Sequence, residues 1–183
     1  MKKGIAASKG YAIGTVFIQE HEEIIISDAK VSDIAAEKEK LSKALAQSKE
    51  QLEAIKEKTA NEIGEHEAQV FEAHLMLLDD VEFTGQMEMT IENDQLNAMK
   101  AVQNVTDTFV MIFESMDDAY MRERAADIKD VSKRIISNLA GKGGSAFAIT
   151  ETNTVVVAYD LTPSDTAQLD RSKVVGFLTD IGG

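Results

Sequence analysis

Three histidines, His21, His66 and His74, are the side chains of this 183-residue chain best suited to nucleophilic or acid–base work near neutral pH. None has a second ligand at metal spacing, and no H-E-x-x-H pair occurs, so no metal site is predicted. His74 falls on the apolar face of a helical pattern, where a satisfied core or interface histidine is the expectation. His66 sits among acids and reads as solvated. Cysteine is absent, which excludes a disulfide framework, a thiolate nucleophile, a zinc ribbon and an iron–sulfur site. Asp79 and Asp80 form the most obvious carboxylate pair, and a solvated helix surface accounts for them unless burial brings them together. Gly182–Gly183 follows a strand pattern, as a loop that approaches a phosphate would, but two glycines carry little on their own.

Charge and methionine allow a contact surface beside plainer readings as solvated and core-filling residues. Residues 61–120 hold 14 acidic side chains and one basic one, Lys100, while the other 123 residues carry 18 of each sign. The whole net charge of −13 therefore sits in one third of the chain; it argues against nucleic-acid binding, which needs a cationic surface, and reads either as a solvated acidic helix surface or as a docking face for a basic partner. Of eight methionines only Met1 lies outside positions 76–121, and flexible thioethers serve adaptable surfaces as well as irregular cores. On a helical wheel started at Val70, Met76 falls off the apolar arc and Leu77 falls at its edge. No apolar run approaches the roughly 20 residues of a membrane span, and no signal-peptide stretch opens the chain. A soluble, cytoplasmic protein that meets neither membrane nor nucleic acid is expected.

The elements that must carry these residues follow from periodicity. Ala12–Ile18 and Ile24–Ile26 read as strands. Ile34, Leu41, Leu45, Leu52, Ile55 and Ile63 recur at helical spacing after Ser32, a candidate N-cap, and Gly64 predicts a break. Val70, Phe71, His74, Leu75 and Leu78 share one face of the next helix; Asp79–Asp80 end or bend it; Phe83, Met87 and Ile91 predict a short helix; Glu92–Asp94 read as a turn. Ala98 to Met116 and Met121 to Leu139 are two further helices, the second stopped by Gly141, Gly143 and Gly144. Thr154–Tyr159 and Val174–Leu178 are β-branched strands, with a helix starting near Pro163, the only proline, between them. With β elements at both ends, the pattern predicts an α/β domain built from the two termini and interrupted by an all-helical insertion of about four helices.

Five segments, GIAASKGYAIG, FEAHLMLLDDVEF, YMRERAADIKDVSKRI, VVVAYDLTPSDTAQLD and VVGFLTDIGG, resemble in this order the N-terminal half of the Enzyme I family of the bacterial sugar phosphotransferase system, the phosphoenolpyruvate–protein phosphotransferases. The resemblance runs the length of the chain. It implies a transferase that takes a phosphoryl group from phosphoenolpyruvate onto a histidine, with magnesium, and passes it to the basic phosphocarrier HPr. It also implies the fold class: a discontinuous α/β phosphohistidine (swivelling) domain, residues 1–27 and 141–183, interrupted by a four-helix HPr-binding domain, residues 28–140.

In the family, TDIGG runs on into R-T-S-H-[ST], whose histidine accepts the phosphoryl group; here the sequence ends at Gly183, four residues short of that position. None of His21, His66 or His74 matches the acceptor. The resemblance therefore implies a chain that keeps HPr docking, binds no cofactor itself, and leaves magnesium and homodimerisation to a C-terminal domain of the full-length enzyme. Thr166, in DLTPSDTAQL, matches the threonine whose hydroxyl meets the active histidine. Glu65, Met76, Leu77, Asp80, Glu82, Phe83, Tyr120, Met121 and Arg124 match positions at the family's HPr interface. The competing expectation is an acidic helical interaction module unrelated to phosphotransfer.

Overall fold

Four short polar side chains set where the helices begin. Asp33 Oδ1 accepts the Ala36 N–H at 2.9 Å, Asp80 Oδ1 the Glu82 N–H at 2.8 Å, Asn97 Oδ1 the Lys100 N–H at 2.9 Å, and Asp118 Oδ1 the Tyr120 N–H at 2.8 Å. Each satisfies a donor that the first helical turn leaves unpaired. The computed structural model describes residues 4–19, 24–143 and 149–181. The helices so capped are α1 (Ile34–Glu62), α3 (Val81–Asp94), α4 (Ala98–Glu114) and α5 (Ala119–Leu139), and α2 (Glu65–Asp79) lies between the first two.

The chain divides into two compact units, Ile24–Gly144 and the combination of Met1–Glu23 with Ser145–Gly183. The divisions fall at 23/24 and 144/145, a few residues from the 27/28 and 140/141 that the sequence pattern suggests. In the helical unit α1 packs on α2 and α5, α5 on α4 and α2, and α3 on α4. Its core holds Leu41, Leu52, Phe71, Phe83, Met87, Ile91, Val102, Ile128, Val131 and Ile135, each at most 2% exposed. Gly64 joins α1 to α2 at φ +151°, a backbone conformation that selects glycine; the nearest atom to a Cβ there would be the mobile Glu67 carboxylate, which can move aside.

Several expectations need correction here. Among the described residues the helical unit has five helices rather than four, because Asp80 ends α2 and at once caps α3. The cap of α1 is Asp33, not Ser32; the carboxylate is the side chain that reaches Ala36. Glu92–Asp94 belong to α3, and the turn comes at Gln95, which takes the left-handed conformation with φ +52°. Ile24–Ile26 form no strand: Ile25 is 89% exposed, and this stretch meets no sheet, the one bridge nearby joining Lys30 to Leu96.

In the other unit, β1 (Thr15–Ile18), β2 (Thr154–Ala158) and β3 (Val174–Thr179) form a parallel sheet in the order β1-β2-β3, with α6 (Pro163–Gln168) between the last two strands. β1 is shorter than the run from Ala12 that the pattern suggests. At Gly14 a Cβ would lie 1.9 Å from Asn153 O, and pairing starts immediately after, at Thr15. Ile149, Val156 and Leu169 make the small core, with Phe17 and Val174 packed against it. Among the described residues no helix is long and apolar enough to cross a membrane.

Candidate functional site

The residues expected at a contact surface lie on α2, on the α2–α3 corner and in the first turns of α5. Glu65 opens α2 and is exposed, its charge close to the positive end of the helix dipole. Met76 is 62% exposed, and Leu77 beside it is half-buried. Asp80 and Glu82 are exposed at the corner. On α5, Tyr120 is 63% exposed, Met121 and Arg124 are half-buried, and the Arg124 guanidinium lies over the Tyr120 ring, 5.7 Å from its centroid.

Phe83 is the exception. It is 0% exposed, and its ring meets Phe109 of α4 edge-on with centroids 5.1 Å apart. An aromatic ring enclosed on all sides cannot meet a partner, so Phe83 is a core residue that holds α3 on α4. The apolar side chain that the corner does present is Val81, 83% exposed between Asp80 and Glu82. The signal for it was present in the spacing: with Phe83, Met87 and Ile91 as the inward face, Val81 lies two residues, about 200°, from that face.

The Asp79–Asp80 pair is two unrelated carboxylates. Asp79 takes the Lys49 ammonium on both oxygens, at 2.6 and 2.9 Å, and that hydrogen bond holds the Lys49 pKa above the ordinary lysine value. Asp80 is committed through Oδ1 to the N–H groups of Glu82 and Phe83. Neither geometry is that of a proton-sharing acid–base pair. A second lysine of α1, Lys56, pairs with Glu72 of α2.

Of the histidines, His66 is exposed in the first turn of α2, and His21 lies outside the described residues, as do Gly144 and the Gly182–Gly183 pair. His74 is fully buried. Its Nε2 is 3.2 Å from Asp127 Oδ1 on α5, and its ring stands edge-on to Phe71 at 5.8 Å. Among the described residues no three His, Cys, Asp or Glu side chains are placed to hold a metal ion.

Thr166 sits in α6, whose start is closed by a reciprocal cap: Thr162 Oγ1 accepts the Asp165 N–H and Asp165 Oδ2 accepts the Thr162 N–H, both at 3.1 Å. The Thr166 side chain is exposed, and its hydroxyl rests on the Pro163 carbonyl at 3.0 Å. One rotation would release it to another acceptor.

Residues 3–124 match the family described as PEP-utilising enzyme, N-terminal. The chain is 49% identical over 181 residues to the phosphoenolpyruvate-protein phosphotransferase of Listeria monocytogenes, covering 99% of this chain and 32% of that protein. It is 49% identical over 184 residues to the enzyme of the same name from Enterococcus faecalis, again covering 32% of the relative. The chain thus spans about a third of the length of these curated relatives. A solution structure described as Enzyme I superimposes with a TM-score of 0.86 at 42% identity, covering 100% of this chain and 75% of that one. A structure described as the N-terminal domain of Enzyme 1 - Nitrogen aligns with a TM-score of 0.69 at 22% identity, a likeness of fold. An acidic module unrelated to phosphotransfer is not compatible with matches of this length. With nearly half of its residues identical to those enzymes and its helix-rich α/β fold reproduced end to end, the chain belongs to the PEP-utilising enzyme N-terminal family, as the N-terminal part of an Enzyme I-type phosphoenolpyruvate–protein phosphotransferase.

Proposed function

We propose that the helical unit docks the phosphocarrier HPr in the cytoplasm, within a phosphoenolpyruvate-driven sugar uptake pathway, and that the sheet unit is part of the phosphohistidine domain into which the helices are inserted. The observation that carries this reading is the exposure of Met76, Val81 and Tyr120 in a stretch with 14 acidic residues and one basic residue. Charge of one sign steers a basic partner to the face and orders its approach, and exposed apolar side chains give it something to bury on arrival. Glu65, Asp80 and Glu82 supply the steering charge; Met76, Leu77, Val81, Tyr120 and Met121 supply the anchors. Asp79 contributes less, since Lys49 neutralises it.

Phosphoryl transfer needs more than these residues. Among the described residues no group of three His, Cys, Asp or Glu side chains is placed to hold magnesium, and we assign the binding of magnesium and phosphoenolpyruvate to other parts of a full-length family enzyme. None of its three histidines is assigned as phosphoryl acceptor. Thr166 is assigned to the acceptor's support: a hydroxyl bonded to one imidazole nitrogen fixes the tautomer and leaves the other nitrogen to attack phosphorus.

Titration of isotope-labelled HPr with this chain tests the docking reading. Amide shifts confined to one HPr face are expected, with association slowed by salt because exposed charges are screened beyond roughly 8 Å at physiological ionic strength. Unchanged HPr spectra at low salt would refute it.

A further inference from the structure

Arg124 is a cation among acids on the proposed docking face, and the structure shows what holds it. Its Nη1 donates to Asp127 Oδ2 at 3.2 Å, one helical turn along α5. The second oxygen of the same carboxylate, Oδ1, lies 3.2 Å from His74 Nε2 on α2. An ionised carboxylate only accepts, so Nε2 carries the proton in this contact. The His74 ring itself has no freedom to turn: it is 0% exposed and packed edge-on against Phe71. Its other nitrogen, Nδ1, is buried without a hydrogen-bond partner, with Asp130 Oδ2 the facing carboxylate at 4.0 Å. A satisfied structural histidine would have both nitrogens engaged. This one spends its single good hydrogen bond on Asp127.

From these contacts we infer that His74 is a positioning residue for docking: through Asp127 it fixes the Arg124 guanidinium over Tyr120, with its remaining N–H donors presented to an acceptor on the partner. This rests on the docking reading above. The physical gain is preorganisation. A free arginine loses much rotamer freedom when it is fixed in an interface, whereas one already clamped by a half-buried carboxylate that His74 holds from the other side loses little. The clamp also explains how a cation is tolerated on a face that recruits a basic partner. Asp127 neutralises it locally, so Arg124 acts as a directional donor and not as a repelling charge. The line His74–Asp127–Arg124–Tyr120 runs from the core to the surface with a contact at each step.

The test is a mutant cycle read by HPr affinity, together with an Arg124 signal in the free chain. His74→Leu removes the N–H; His74→Gln restores one near the position of Nε2; Asp127→Asn keeps the size but turns a donor or a weaker acceptor toward the guanidinium. His74→Leu and Asp127→Asn are expected to weaken HPr binding about fivefold, as loss of one aligned hydrogen bond does. His74→Gln should retain most of the affinity. In an Arg124→Ala background the same changes should have no further effect. In the free chain, the Arg124 Nε–H resonance should be sharp in wild type and His74→Gln, and exchange-broadened in the other two. Equal weakening with and without Arg124 would reduce His74 to a packing residue, and an unchanged Arg124 resonance would overturn the clamp. If His74→Leu does not fold, Asp127→Asn decides through the same readouts. Failure of wild type to bind HPr would refute the docking reading, while the Arg124 resonance still decides whether His74 positions it.

Discussion

The carboxylate of Glu37, in the first turn of α1, accepts the backbone N–H of Ala98 at 2.9 Å and so caps α4 across 61 residues of sequence. The other oxygen takes the Lys40 ammonium at 2.6 Å. Burial alone would raise the Glu37 pKa, but the Lys40 hydrogen bond and the Ala98 N–H together outweigh it and hold the carboxyl below its ordinary value of 4.5. A folded-state pKa that is lowered contributes stability present above the unfolded value and lost as pH falls through the folded one. Glu37→Ala is therefore expected to cost about 2 kcal/mol at pH 7, since it leaves the first N–H of α4 unpaired in a buried place. The difference from wild type should shrink below the ordinary glutamate value of 4.5. Urea unfolding at several pH values checks both parts, and a pH-independent difference would mean that packing, not charge, sets the cost.

Phe83 and Val81 should separate stability from docking. Phe83→Ala empties a fully enclosed site beside Phe109 and is expected to destabilise the helical unit by about 3–5 kcal/mol. Val81→Ser changes a side chain that is 83% exposed, and should alter stability by no more than about 0.5 kcal/mol. Its effect belongs in HPr dissociation, faster by roughly fivefold if it is one of the anchors. Thermal melts and surface-based binding kinetics on the two variants give the answer. The reverse pattern would put Phe83 back on the contact surface.

That exchange of roles shows what a linear sequence reveals here and what it hides. Helical spacing is a local property, so Phe83–Met87–Ile91, the break at Gly64 and the two strands after residue 150 were all legible. Met76 off the core arc was legible for the same reason, and the structure exposes it. Position within a cap is also local but depends on one side-chain torsion, which is why Asp33 rather than Ser32 could be identified only from geometry. The contacts that define the face are non-local. Nothing in the order of residues announces that His74 meets Asp127, 53 positions away, or that Lys49 takes Asp79 out of the acidic surface. Ile24–Ile26 illustrate the converse: three β-branched residues are a strand only where another strand has an open edge to offer.

Thr166 can be tested in the full-length enzyme. Thr166→Val is nearly isosteric and removes only the hydroxyl, which here bonds the Pro163 carbonyl in an exposed first turn of α6. The reciprocal cap between Thr162 and Asp165 remains, so stability should stay within about 0.5 kcal/mol of wild type. If the hydroxyl orients the acceptor imidazole, phosphoryl transfer to HPr should slow by about fivefold, the worth of one neutral hydrogen bond of ~1 kcal/mol. Thr166→Ser should recover the rate. Rapid-quench transfer assays on the three proteins distinguish this from a threonine that merely ends its turn, for which valine and serine would behave alike.

The sheet unit should be the less protected of the two in this 183-residue chain. A parallel sheet is normally covered on both faces, and its strands are apolar on both sides for that reason. Here one face rests on Ile149 and Leu169, but the opposite face, which carries Val16, Ile18 and Leu178, is 58%, 66% and 61% exposed at those positions. β2 is paired on both sides, yet its amides depend on a core cluster of three buried residues. α4 and α5 by contrast bury Val102, Val105, Ile128, Val131 and Ile135 against each other and their neighbours. Local opening follows the apolar contact beneath each hydrogen bond, so exchange at Val155–Val157 should be at least about tenfold faster than in the middle of α4 and α5. Hydrogen–deuterium exchange read by mass spectrometry resolves the two regions in one experiment. Equal protection would mean that the exposed apolar face is covered in solution, and a concentration dependence of that protection would identify the cover as a second copy of the chain.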